Sequence, residues 1–162
     1  MSQYNSTDAV AVRLNDSDGT FGLQTNYAVS GLHGLTTADV NADGKQDIVA
    51  TGHSNFSILP GNGTGTFGAR VDHPLSVLSY SVTALAVDND AWPDLATHGE
   101  HADGRVRVLR NESNGTLSLQ FEHPTGQGGY VTKVDLDGDG DDDLAYTQFS
   151  AGLVGTLING CK

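Results

Sequence analysis

The sequence predicts an all-β protein of the β-propeller type, assembled from repeated sheets of four short antiparallel strands. Two interleaved motifs recur with a shared period of about 48 residues. Within each repeat, apolar residues follow the two-residue period of a strand rather than the 3.6-residue period of a helix. The 162-residue chain also carries 21 glycines without a collagen period, which indicates many tight turns. A repeat of this length with about four strands matches one propeller blade.

The two recurring motifs define the period. The first is rich in aspartate and runs into a short apolar segment, with copies DVNADGKQDIVATG from Asp39, AVDNDAWPDLATHG from Ala86 and DLDGDGDDDLAYTQ from Asp135, at steps of 47 and 49 residues. The second has copies NDSDGTFG, GNGTGTFG and NESNGTLS, which place glycines at Gly19, Gly65 and Gly115, at steps of 46 and 50 residues. Because both motifs advance together, they belong to one structural repeat.

The repeat divides the chain, taken as one domain over 1–162, into four consecutive parts. Residues of about 8–30 are predicted to carry the outer two strands of a partial blade. Residues of about 31–76 and 77–127 are predicted as complete blades of four antiparallel strands. Residues of about 128–159 are predicted to carry the inner strands of another partial blade, which ends in GLVGTLING.

Alternation and turn signals place the strands within these parts. Apolar residues alternate at Val10, Val12 and Leu14, at Phe56 and Ile58, and at Val106 and Val108. The dipeptides Asp18-Gly19 and Asn114-Gly115 are strong signals for tight turns between strands.

The blade count leaves the ring incomplete. The chain holds roughly three blades, whereas propellers close with about four to eight. An open piece would expose a strand edge at each end, which favours aggregation. We therefore expect either a homodimer that closes a six-bladed ring, in which GLVGTLING pairs with N-terminal strands of the second copy, or a fragment whose remaining chain is missing.

The first aspartate loop has the pattern D-x-N-x-D-G-x-x-D. The predicted metal ligands are Asp39, Asn41, Asp43, the backbone carbonyl of Lys45, and Asp47. Alternate side chains of an extended loop can converge on one centre, and Gly44 permits the positive φ that turns the chain back. The ammonium of Lys45 is expected to point away. An all-oxygen set in a flexible loop favours Ca²⁺ over Mg²⁺, which prefers a tighter octahedron with more water.

The third loop repeats this pattern with more charge. Its predicted ligands are Asp135, Asp137, Asp139, Asp141 and Asp143, with Gly140 at the turn. A bound divalent ion would turn the repulsion among these carboxylates into binding energy, while Asp141 and Asp142 are expected to face water.

The second loop departs from the pattern. Ala86 replaces the first aspartate and Ala91 replaces the glycine. The remaining candidates for a weak or absent metal site are Asp88, Asp90, Trp92 and Asp94. Trp92 and Pro93 are expected to make this turn rigid.

The segments ADVNADGKQDIVATG, VDLDGDGDDDLAY and NDSDGTFG, with the pairs Phe21-Gly22 and Phe67-Gly68, resemble repeats of the FG-GAP or VCBS type over about 8–159. That family includes the propeller of integrin α-subunits and many bacterial and fungal surface proteins. The resemblance implies calcium ligands at Asp39, Asn41, Asp43 and Asp47 and at Asp135, Asp137, Asp139 and Asp143. It also implies an extracellular or cell-surface location for the parent protein. Leu117-Ser118 departs from the Phe-Gly pair, as the second loop departs from the aspartate pattern.

Composition excludes several classes of partner. The net charge of −12 opposes binding to nucleic acid or to an anionic membrane. The sequence predicts no membrane-spanning segment, and MSQYNSTDAV does not read as a signal peptide. Cys161, the single cysteine, cannot form an internal disulfide.

The functional prediction is a binding module rather than an enzyme, because the sequence contains no nucleophile elbow, zinc-protease motif or phosphate-binding glycine loop. Lectin-like and integrin relatives imply a carbohydrate or a protein as ligand. The aromatic candidates for ligand contact are Trp92, Tyr80 and Tyr130, although core packing is the commoner role. The alternatives are a self-assembling structural or engineered propeller fragment, and a non-catalytic part of a larger enzyme. His98 and His101 are expected in the connecting loop after the second strand of their repeat, and with Glu100 they form a less favoured transition-metal group.

Overall fold

The computed structural model describes residues 8–74, 79–88, 90–99, 104–113, 116–126 and 128–160, which form thirteen strands and no helix. The strands are β1 (Ala9–Val12), β2 (Thr25–Ala28), β3 (Gly34–Ala38), β4 (Asp47–Thr51), β5 (Asn55–Leu59), β6 (Val71–Pro74), β7 (Ser79–Leu85), β8 (Asp94–Gly99), β9 (Arg105–Asn111), β10 (Leu117–Pro124), β11 (Val131–Val134), β12 (Asp143–Gln148) and β13 (Leu153–Leu157).

The strands pair with their sequence neighbours into four antiparallel sheets. The first sheet contains β1 and β2, the second β3 to β6, the third β7 to β10, and the fourth β11 to β13. The prediction of an all-β chain with four-stranded antiparallel sheets is therefore confirmed for the described residues. The sheets lie within the predicted parts 8–30, 31–76, 77–127 and 128–159.

Three apolar clusters pack each sheet against the next. Phe56 and Ile58 of the second sheet lie with Val82, Leu95 and Leu109 of the third sheet. The alternation predicted from the sequence explains this contact, because every second side chain of a strand points to the same face. Burial of such side chains contributes about 1.5–3 kcal/mol each.

The same arrangement recurs on both sides of that pair. Val106 and Val108 of the third sheet pack with residues of the fourth, namely Val131, Leu144 and Tyr146. At the N-terminal end, Val10 and Val12 pack with Ile48, Ala50 and Leu59 of the second sheet. The sheets are thus stacked face to face in sequence order.

The outer face of the fourth sheet has no following sheet in the described chain. The register makes Val154 the counterpart of Phe56 and Val106, and Leu136 the counterpart of Val40. Phe56 is 1% exposed and Val106 is 0% exposed, whereas Val154 is 72% exposed. Leu136 is 45% exposed while Val40 is 8% exposed. The stack therefore ends on a face built for burial.

Candidate functional site

The three aspartate loops lie at the same end of their sheets. Each loop joins the first strand of a sheet to the second: β3 to β4, β7 to β8, and β11 to β12. The last loop aspartate is the first residue of the second strand, at Asp47, Asp94 and Asp143. Backbone pairing places it opposite the last residue of the first strand, which closes each loop at its base.

These closing aspartates are buried clamps in all three sheets. Asp47 and Asp94 are 0% exposed and Asp143 is 1% exposed. In each, Oδ2 accepts a hydrogen bond from an N–H early in the loop: Val40 at 3.2 Å, Val87 at 2.9 Å and Leu136 at 2.8 Å. Oδ1 accepts a bond from the N–H that follows or ends the third strand: Gly61 at 2.7 Å, Asn111 at 2.8 Å and Asn159 at 2.8 Å.

The clamp joins the loop to the third strand, and it has an electrostatic cost. Burial raises the pKa of the Asp47 and Asp94 carboxyls above the ordinary aspartate value, and the two backbone N–H bonds to each carboxylate oppose that rise. Sequence reasoning treated this residue only as a metal ligand. The sequence does contain one sign of this structural role. Asp94 is present in the second loop, in which Ala86 and Ala91 replace two other residues of the aspartate pattern.

The third loop brings three carboxylates together. Oxygens of Asp135, Asp137 and Asp143 lie within 4.8 Å of one another, the one such acidic or histidine cluster among the described residues. The hydrogen bond from the N–H of Asp139 lowers the pKa of Asp137. Desolvation and the carboxylates of Asp139 and Asp143 together raise this pKa by more, so the net shift is upward. Like charge is therefore crowded at this point.

Two glycines turn the backbone of the third loop. Gly140 has φ of 92°, as the sequence predicts for the turn, and Gly138 has φ of 79°. The N–H of Asp141 donates to Oδ1 of Asp139 at 2.9 Å. Oxygen donors alone converge here, and this donor set fits Ca²⁺ by its chemistry.

Asp142 does not simply face water, in contrast to the expectation. Its Oδ2 lies 3.1 Å from Nζ of Lys133 and accepts the N–H of Ala86 at 2.9 Å. The side chain is 24% exposed. It therefore links the third loop to the beginning of the second loop.

The first loop is arranged differently around its aspartates. Asp39 accepts the N–H groups of Asp43 at 3.0 Å and Gly44 at 2.8 Å, while Asn41 accepts the N–H of Asp43 at 2.9 Å. Gly44 has the predicted positive φ, at 83°. The expectation that the Lys45 ammonium points away is wrong, because its Nζ lies 3.1 Å from Asp43. That hydrogen bond to Lys45 lowers the pKa of Asp43.

A cationic side chain from strand β9 reaches the second loop. Nε of Arg110, on β9, lies 2.7 Å from Oδ2 of Asp88, an ion pair without hydrogen-bond geometry at that nitrogen. Pro60 and Ile158 occupy the equivalent positions of the neighbouring sheets, so the guanidinium is specific to this loop. Asp90 accepts the N–H of Trp92 at 2.8 Å, as in an ordinary Asx turn. Asp88 thus has a positive partner without a metal ion.

The aromatic candidates fall at opposite ends of the sheets. Trp92 lies at the aspartate-loop end and lines a cleft of about 420 Å³ with Thr36, Thr83 and Lys133. Tyr80 lies near the start of β7, with its ring edge-on to His33 at 5.4 Å. Tyr130 precedes β11 at the same far end. The structure therefore does not bring the three aromatic residues into one site.

Tyr130 and Phe149 form an exposed aromatic patch. The sequence analysis did not identify Phe149. Its ring lies 5.5 Å from that of Phe149 in an edge-on arrangement. Both side chains are 58% exposed. Phe149 directly follows β12, and the pairing of β11 with β12 makes the two residues neighbours.

The less favoured histidine group is not a surface cluster around His98. His98 was expected in a connecting loop, but it lies within β8 and is 0% exposed. Its Nε2 lies 2.7 Å from Oγ1 of Thr125, and its ring stacks on Tyr146. The other predictions at Glu100, His101, the Asn114-Gly115 turn and Cys161 lie outside the described residues.

Comparison with known proteins identifies the repeat. A family model described as FG-GAP-like repeat matches residues 39–97 and 87–146, which include all three aspartate loops. No curated protein matches the chain. No helix among the described residues has the length and apolar character needed to span a membrane.

The fold is similar to that of a lectin of known structure. An Agrocybe aegerita lectin, described as specifically recognising non-reducing terminal N-acetylglucosamine, aligns with a TM-score of 0.59 and 19% sequence identity. The alignment covers 93% of this chain and 44% of the lectin. At this identity the likeness concerns the fold, and the chain spans less than half the length of the lectin.

Proposed function

Because the chain belongs to the FG-GAP-like repeat family, we propose that it is a calcium-binding β-propeller module that recognises a ligand and does not catalyse a reaction. The observation that carries the calcium part is the approach of Asp135, Asp137 and Asp143 to within 4.8 Å. Oxygen-only clusters of this kind match the ligand preference of Ca²⁺.

The third loop is the primary calcium site in this proposal. Asp135, Asp137, Asp139 and Asp143, with the backbone carbonyl of Asp141, would hold the ion. Calcium supplies the positive charge that offsets repulsion among these carboxylates. Asp143 also accepts N–H groups from Leu136 and Asn159. Loading of the loop would therefore stabilise the base of the fourth sheet.

The first loop is the secondary site. Its ligands would be Asp39, Asn41, Asp43, Asp47 and the carbonyl of Lys45, and the ammonium of Lys45 would have to leave Asp43. The second loop would bind calcium weakly or not at all, because Arg110 is already paired with Asp88. We therefore expect the third loop to fill at the lowest calcium concentration, and an extracellular or cell-surface setting would supply enough ion for weaker sites.

Calorimetric titration with Ca²⁺ tests this order. We expect two binding events in the parent protein, with the tighter one abolished by Asp137→Asn. The companion variant Arg110→Gln removes the guanidinium beside Asp88, and it tests whether that guanidinium weakens calcium binding at the second loop. A protein that binds no calcium, or in which Asp137→Asn changes neither event, would contradict the calcium proposal.

Carbohydrate is the favoured class of ligand. The fold-level similarity to a lectin supports this choice, and a protein ligand is the alternative. Exposed aromatic rings provide apolar faces for packing against a sugar ring, and Tyr130 and Phe149 form such a patch. Trp92, in its cleft at the other end, is the second candidate contact, and Tyr80 is the third.

A glycan array with calcium and with chelator tests the ligand class. We expect binding to a restricted set of glycans that Tyr130→Ser weakens. Phe21→Ser is a matched control, because Phe21 is an exposed aromatic residue, at 63%, in the connection between β1 and β2. Absence of glycan binding, together with capture of a defined protein ligand, would favour the protein alternative.

Self-assembly is a second candidate function, favoured by the open outer face of the fourth sheet. Val154 and Leu136 are exposed at positions that are buried between the other sheets. A homodimer in which a second copy covers this face would complete more of the ring. Light scattering over a range of concentrations should show a dimer that Val154→Asp dissociates. Leu153→Asp is the control, because Leu153 is 57% exposed on the same strand but points to the opposite face. A parent protein that is monomeric throughout would exclude this function.

A further inference from the structure

We propose that His33 and His53 form a binding site for a tetrahedral divalent metal ion, Zn²⁺, separate from the aspartate loops. Nε2 of His33 lies 3.4 Å from Nδ1 of His53. Two nitrogens that each bind a tetrahedral ion at about 2.0–2.1 Å lie about 3.3–3.4 Å apart. The separation of the two rings thus already matches that of a two-nitrogen chelate.

The strand register brings the two histidines together. His33 precedes β3 and its N–H donates to the carbonyl of Thr51 at 2.9 Å. His53 follows β4, in a turn that the N–H of Gly52 closes onto the carbonyl of Asn55 at 2.9 Å. Because β3 and β4 are antiparallel, the beginning of one strand and the end of the other lie at the same end of the sheet. This end is opposite to the aspartate loops.

Neighbouring groups restrict both rings. The ring of His33 packs edge-on against that of Tyr80, at 5.4 Å and 90°. The ring of His53 lies on Gly31, where an added Cβ would come within 2.5 Å of Cδ2 of His53. Gly31 has φ of 63° and donates its N–H to the carboxylate of Asp8 at 2.9 Å. Ligand groups held in this way lose less side-chain entropy when they bind.

The chemistry of the pair selects the class of ion. Imidazole nitrogens suit Zn²⁺, Cu²⁺ and Ni²⁺, whereas Ca²⁺ takes oxygen ligands. Both histidines are exposed, so solvent can supply the remaining ligands. Binding through the two facing nitrogens leaves one proton on the far nitrogen of each ring. Without an ion the facing nitrogens form a hydrogen bond, for which one of them carries the proton. Binding of the ion would move that proton to the far nitrogen of the same ring.

Zinc titration by calorimetry tests the site. The protein is held in excess Ca²⁺ and carries Cys161→Ser, which removes the single thiol of the chain. We expect the chain to bind one zinc ion, and His33→Gln and His53→Gln should each weaken the affinity for zinc. Since loss of even an outer-shell partner costs about 10–100-fold in metal affinity, loss of a ligand should cost at least about tenfold. Copper EPR should show coupling to two nitrogens in the parent protein and to fewer in each variant.

His123→Gln provides the matched control, because His123 lies on β10 in another sheet. Its zinc affinity should equal that of the parent protein, and circular dichroism should show the same strand content in all variants. The proposal is overturned if the His33 and His53 variants bind zinc as the parent does. It is also overturned if His123→Gln weakens binding equally, since the ion would then lie elsewhere.

Discussion

Asp94→Ala separates the structural role of the closing aspartate from metal binding. Asp94 is 0% exposed, and its carboxylate accepts the N–H of Val87 at 2.9 Å and the N–H of Asn111 at 2.8 Å. Hydrogen bonds to a charged group contribute about 1.5–3 kcal/mol each, so two amount to about 3–6 kcal/mol. Removal of a carboxylate whose burial raises its pKa recovers part of this energy, which leaves a net loss of about 2–4 kcal/mol.

Urea unfolding in calcium and in chelator measures this loss. We expect the same decrease in unfolding free energy in both buffers, because the second loop has Arg110 as its cation. Asp94→Asn should lie between the parent and Asp94→Ala, since it keeps one acceptor and places an amide N–H against the second donor. Asp90→Ala, on the exposed part of the same loop, should change stability by less than about 0.5 kcal/mol. A loss that occurs only in calcium, or one below about 1 kcal/mol in both buffers, would refute the clamp.

Three further predictions address other parts of the molecule. Asp139→Ala should lower the thermal midpoint in calcium and leave it unchanged in chelator, and equal losses would indicate a turn former instead. Glu122→Gln should destabilise at neutral pH, because the side chain of Arg107 lowers the pKa of Glu122. Because the pKa of Glu122 is lower in the folded than in the unfolded protein, its carboxylate stabilises the fold at pH values above the unfolded-state pKa. This stabilisation is lost as the pH falls through the folded-state pKa, so the unfolding midpoints of parent and variant should converge in acid. In chemical denaturation, Phe56→Ala should lower the free energy of unfolding by about 3–5 kcal/mol. Val154→Ala should lower it by less than about 0.5 kcal/mol in the monomer. Similar losses for the two variants would argue against the stacking of sheets.

Much of the fold follows from local signals in the sequence. The period of about 48 residues places the sheets, and alternation at Phe56 and Ile58 identifies a buried face. Turn glycines such as Gly44 and Gly140 adopt the predicted positive φ. These features depend on residues close in sequence, and they are therefore readable without coordinates.

The site was less predictable because its charges meet across strands. Arg110 and Asp88 are far apart in sequence, and the register of β8 with β9 brings their parts of the third sheet together. The ammonium of Lys45 can lie on either side of its loop, and spacing does not decide between them. His98 resembled a loop residue because β8 continues to Gly99, beyond the apolar run that marks the strand in the sequence.

The ion pair between Arg110 and Asp88 gives the middle repeat a counter-charge that cannot diffuse away. In the first loop Lys45 supplies the positive charge beside Asp43, and in the third loop the proposed calcium ion would supply it. Added salt should therefore affect the central loop chiefly by screening, whereas divalent concentration should govern its neighbours. The chain would then keep a fixed centre while its two outer repeats respond to the surrounding medium.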